Sequence, residues 1–219
     1  MKSRHYNDNV FINCPFDPAY KPLFDATVFT VHDCGFIPRC ALEEEDASQV
    51  RIEKIYEIIA DCRYGIHDIS RIELDEPSGF PRFNMPLELG IFLGAKKFGS
   101  EAQKGKKCLI LDREPYRYQQ FMSDIAGQDI QAHNNAPEEI VKVVRNWLRT
   151  ASRHRTIPGG DIIWERYQNF MQDLPEMTQI SQLDANNLIY NDYIWLIVKW
   201  LRTRENRLSQ HVQGDNARR

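Results

Sequence analysis

The chain alternates between short runs that are wholly apolar and longer stretches whose apolar residues recur at three-and-four spacing. Val10-Phe11-Ile12 stops at Asn13, Tyr64-Gly65-Ile66-His67 stops at Asp68, and Cys108-Leu109-Ile110-Leu111 stops at Asp112. Runs this short, without the in–out alternation of a half-exposed strand, predict strands covered on both sides. Gly35 to Leu42 is a weaker strand candidate that leads into the acidic run Glu43–Asp46, and Asp129–Ala132 is a fifth.

The stretches between them carry helical signals. Leu23, Phe24, Thr27, Val28 and Val31 mark an amphipathic helix from Lys21 to Cys34, closed by Gly35. Ser48 is the expected N-cap of a helix through Cys62, and Pro86 opens another through Ala95. Two more are expected near Pro115–Ile125 and Pro137–Thr150. Strictly alternating elements with buried strands predict an α/β, Rossmann-like fold: a parallel sheet of about five strands with helices on both faces.

This domain is expected to span residues 9–150. Ser152-Arg153-His154-Arg155 and Pro158-Gly159-Gly160 look like a linker to a helical segment over 158–208, formed by Ile162–Leu174 and Asn186–Arg204. Residues 209–219 are expected to be a disordered tail. Trp164, Tyr167, Phe170, Leu188, Tyr193, Ile197 and Trp200 give the segment large apolar faces. They must pack on the main domain or on another chain; a homo-oligomer or partner interface is the expectation.

At 219 residues the chain can bury a full core, and its 42% hydrophobic and 27% charged residues are ordinary globular composition. A net charge of −3 gives no global reason to bind nucleic acid or an anionic membrane. The segment MKSRHYNDN has no apolar core of a leader, and no apolar run reaches membrane-span length, so a cytoplasmic protein is expected. The five cysteines lack metal-ligand spacing and read as reduced, small hydrophobic residues, with no metal site.

In open α/β sheets ligands bind outside the carboxyl ends of the strands. Those ends carry Asn13, Arg39, Asp68 with Ser70, and Asp112, although turn residues are polar in any case. His67 and Asp68 are adjacent on a strand, so one packs against a helix and the other, taken as Asp68, reaches the site. The long polar connection Ser70–Asn84 is expected to be a site or a lid. Arg39, Arg71 and Arg82 are candidate phosphate contacts. Glu88, three residues into the region opened by Pro86, would sit in a first helical turn, where the dipole favours the ionised form. It then either stabilises a cationic sugar transition state or simply caps backbone amides. No glycine-rich dinucleotide loop or P-loop is present.

Taken in order, Val10-Phe11-Ile12-Asn13 leading into Cys14-Pro15-Phe16, a strand ending Asp68-Ile69-Ser70, and Glu88-Leu89-Gly90 on the next helix resemble the nucleoside 2-deoxyribosyltransferase-like and TIR-like group. The resemblance covers about residues 9–150. It implies cleavage or transfer of N-glycosidic bonds in a nucleoside, a nucleotide or NAD, in many bacterial members as antiviral effectors. It makes Glu88 the catalytic glutamate and Asp68 the strand-end acid, and puts Asn13, Pro15 and Phe16 in the first-strand loop of the pocket. Arg39, Ser70, Arg82, Asn84 and Asp112 complete the expected substrate contacts. No cofactor is expected, NAD or a nucleotide being the substrate. The rival readings are a non-catalytic nucleotide sensor on the same fold and a protein-interaction adaptor.

Overall fold

The computed structural model describes residues 5–43, 48–74, 79–81, 83–152 and 156–216, with side chains up to Arg204. The expected parallel sheet is there. Its strands are β1 (Asn9–Asn13), β2 (Ile37–Arg39), β3 (Tyr64–Asp68), β4 (Lys107–Asp112) and β5 (Gln131–Ala132), ordered β2-β1-β3-β4-β5 and all parallel. The helices are α1 (Lys21–Asp33), α2 (Arg51–Ala60), α3 (Asn84–Phe98), the single turn α4 (Glu101–Lys104), α5 (Pro137–Ser152), α6 (Gly160–Ile180) and α7 (Tyr190–Asn216).

Alternate strand residues face different helices, as the two-residue period of a strand demands. Val10, Ile12, Ile66, Leu109 and Leu111 pack with α1 and α5, whereas Phe11 packs with Ile55, Ile58 and Ile59 of α2 and Phe92 of α3. Gly65 matters on that second face. A Cβ there would stand 2.7 Å from the Phe92 ring, so only glycine lets α3 come this close to β3. Gly35 closes α1 at φ +79, with Phe36 N–H donating to Val31 O and Gly35 N–H to His32 O, a Schellman turn.

Several expected boundaries shift. Ser48 is not the cap of α2: Val50 takes that position, without a side-chain bond. No α-helix spans Pro115–Ile125. Tyr116 turns into the left-handed region at φ +62 and leaves two short 3-10 turns, Arg117–Gln120 and Ser123–Ile125. The backbone of α7 continues to Asn216, into residues expected to be a tail.

The apolar faces of the C-terminal helices lie on the main domain. Phe29 of α1 stacks on Phe170 at 5.3 Å and meets Tyr167 at 5.4 Å and Trp200 at 6.0 Å. The Tyr193 hydroxyl donates to Asp25 O and that of Tyr190 to Pro38 O. With the sheet on one side and α6 and α7 on the other, α1 is buried at every residue from Leu23 to Val31 rather than along one stripe. The surface expected to serve association is therefore largely consumed within the chain. Among the described residues no helix is long and apolar enough to cross a membrane.

Phe170, with 0% exposure, fills the layer between α1 and α7. We expect Phe170→Ala to cost about 3–5 kcal/mol in urea unfolding, the range for emptying a buried aromatic site. Trp195→Ala, at a residue 50% exposed, should cost well under 1 kcal/mol by the same measurement. Equal losses would mean that α6 is not part of the core.

Candidate functional site

Four of the five strands end in polar residues that are themselves buried: Asn13, Asp68, Asp112 and, directly after β5, His133. The strand order reverses between β1 and β3, which puts the topological switch point of the sheet at Asn13 and Asp68. Parallel pairing sets Asn13 beside His67, so both point toward α3 while Asp68 points toward α1 and α5.

Asp68 organises the rim. Its Oδ2 accepts the Tyr20 hydroxyl at 2.5 Å and lies 3.0 Å from His133 Nε2, and its Oδ1 accepts the Ser70 N–H at 2.8 Å. Because Asn135 N–H donates to His133 Nδ1, the ring proton is left on Nε2, facing the carboxylate. Burial alone would push the Asp68 carboxyl up. The His133, Ser70 and Tyr20 groups together outweigh it and hold the carboxyl below its ordinary range. Asp68 is thus an ionised anchor joining three connections.

On the other face, Asn13 Nδ2 donates to His67 Nδ1 at 3.0 Å and to Met85 O at 2.8 Å, which ties the start of α3 to the end of β1. His67 packs edge-on against Phe11 and Phe92, and burial lowers its ring to about 3, so it stays neutral. His67 packs against α3, as one of the two adjacent residues was expected to pack on a helix, whereas Asp68 lies on the α1 and α5 face and is not brought to the α3 side that carries Glu88.

Glu88 differs from its expectation in a way that changes its chemistry. The helix begins at Asn84, not Pro86, so Glu88 lies in the second turn, past the reach of the helix dipole. It makes no hydrogen bond to a described residue, and the start of α3 has no side-chain cap, so the capping role is not what the carboxyl performs. It is 7% exposed, and burial raises it to about 7, with Arg51 at the start of α2 opposing the rise. A carboxyl balanced near neutrality is suited to proton transfer or to meeting a transient cation.

The remaining expected residues separate into groups. Ser70 lines a cavity of about 330 Å³ together with Tyr20, Arg71, Arg113 and Asn135. Pro15 and Phe16 line a second cavity of about 350 Å³ with Phe24, Tyr190 and Tyr193, so α7 supplies one wall beside the first-strand loop. Asp112 is locked to Arg117 through Nε at 2.9 Å and Nη2 at 2.6 Å, and Arg117 also donates to Ser70 O at 2.8 Å. Arg39 is held by Glu43 at 2.6 Å, away from both cavities. Asn84 is the exposed first residue of α3, and Arg82 lies outside the described residues.

Tyr20, Arg113, Arg117 and His133 went unrecognised in the sequence. His133 carries the same signal as the others, a polar residue at the end of a strand, but lies one residue past the expected stop at Ala132. Nothing local marks Tyr20.

The fold and rim define an α/β protein whose site gathers buried ionisable groups at the switch point of a five-stranded parallel sheet. Comparison with protein-family models, with curated proteins and with solved structures finds no match to this chain.

Two pH profiles follow. Asp68 is depressed in the folded state, so its contribution is present above the unfolded value near 4 and fades as pH falls below it. Tyr20→Phe should therefore cost about 1.5–3 kcal/mol at pH 7, the range for a bond to a charged group, with the gap narrowing below about pH 4. Glu88 is raised, so it binds a proton more tightly when folded and stability falls as pH climbs toward about 7. Glu88→Gln should melt higher than the natural protein at pH 8 and lose that advantage by about pH 5. A variant that melts lower at pH 8 would show the charge to be structurally required.

Proposed function

We propose that this protein cleaves or transfers the N-glycosidic bond of a nucleotide-type substrate, with Glu88 as the acting carboxylate. The observation that carries this reading is a nearly buried carboxyl in the second turn of α3, raised to about 7 and without a hydrogen bond to a described residue. Burial leaves this carboxylate short of solvation, and the Arg51 charge only partly offsets that. As the C1′–N bond breaks, its electron pair leaves with the base and positive character develops on the ribose, which supplies a counter-charge in the transition state only. Water or another acceptor then bonds to C1′, and its proton passes to the departing base or to solvent. The cost of burying Glu88 is thus recovered at the barrier.

Asp68 takes a supporting part. Its oxygens are already occupied by Tyr20, Ser70 and His133, so it fixes the rim and does not exchange protons. That occupancy is also the feature that favours the second reading, a protein that binds nucleotides without cleaving them.

Incubating the protein with NAD, nucleosides and nucleotides and separating free base by chromatography tests the proposal. We expect base release that rises through about pH 7 as Glu88 ionises, and a loss of about 100-fold or more in Glu88→Gln. Unchanged turnover in that variant removes Glu88 from the chemistry. Binding without base release selects the second reading.

A further inference from the structure

The cavity beside Asp68 has a chemistry the proposed reaction does not use. It opens between the start of α1, the exit of β3, the exit of β4 and the turn before α5, and encloses about 330 Å³. Two arginines line it, Arg71 from the exit of β3 and Arg113 from the exit of β4, with Ser70, Tyr20 and Asn135, and no carboxylate is among its lining residues. Asp68 lies behind Tyr20 and Ser70, its charge already satisfied by them and by His133.

Both arginines are anchored from outside. Arg71 pairs with Asp17 at 3.0 Å, and Arg113 with Glu73 at 2.5 Å and Glu114 at 3.1 Å. All three carboxylates are partly exposed, and solvent screens such pairs. A guanidinium carries five N–H donors, so these contacts orient each head group and leave donors over for a second anion. The Arg117 bridge from Asp112 to Ser70 O holds the two arginine-bearing exits side by side.

We infer that this cavity is a phosphate subsite, and that the protein therefore takes phosphorylated nucleotides in preference to nucleosides. The inference rests on the proposed function for its nucleotide ligand, but the anion site itself does not depend on catalysis. Planar guanidinium pairs match phosphate oxygens in geometry and charge. The partial positive charge at the starts of α1 and α5 adds to the same field.

Two measurements test it. Inorganic phosphate should raise the melting temperature of the full chain in a dose-dependent manner, and Arg71→Gln and Arg113→Gln should each weaken that response severalfold. By calorimetry, adenosine monophosphate should bind at least tenfold tighter than adenosine, and the double variant should lose that preference while keeping its affinity for adenosine. The lysine variants of both positions, which retain charge without the bidentate fork, should fall between. Equal affinity for nucleotide and nucleoside, or a phosphate response unchanged in both glutamine variants, overturns the inference. Phosphate binding without any nucleotide affinity would sustain the anion site and sink the proposed function instead.

Discussion

A carboxylate withdrawn from water must be given polar partners, and Asp68 takes them from three separate connections. Tyr20 begins α1, Ser70 leaves β3 and His133 leaves β5, so one buried charge fixes where all three arrive. Removing a single donor leaves the charge under-solvated, so the positions of the three connections depend on one another. The cavities on either side of the β1–α1 loop inherit their shape from that junction. On the opposite face Asn13 does the equivalent for α3 with neutral groups, holding His67 and the Met85 carbonyl at once.

The two faces of the sheet thereby divide the labour. Toward α1 and α5 the ionised Asp68 is fully compensated and inert to protons. Toward α2 and α3 Glu88 is left with burial, opposed by the charge of Arg51. Two carboxyls at one end of one sheet are driven in opposite directions by their surroundings, which is the pattern that separates an anchoring group from a reactive one.

Much of this was legible in the amino-acid order, and what was not has physical causes. Val10–Ile12, Tyr64–His67 and Cys108–Leu111 could be read as strands because both faces are buried and no polar residue interrupts them. Gly35 could be read as a helix stop because its positive φ leaves little choice of residue. The all-round burial of α1 could not, since it depends on α6 and α7 arriving from far along the chain. The local pattern marks Glu88 but not its ionisation. Pro86 suggested a helix start two residues late, and burial, not the dipole, sets its charge. Tyr20 carries no local sign of its role because its partner is 48 residues away.

The wrapping of α1 has a consequence for how the chain is made. The Tyr193 hydroxyl reaches the Asp25 carbonyl across 168 residues, and Phe170 and Trp200 complete the pocket of Phe29. At a synthesis rate of about 5–20 residues per second, α1 waits roughly 8–34 s for its last neighbours. Through that interval the face of α1 that carries Phe29 is exposed, and the rim that Tyr20 anchors sits at its end. The nascent chain is thus most vulnerable to aggregation or chaperone capture after its sheet has been translated and before its final helix has emerged.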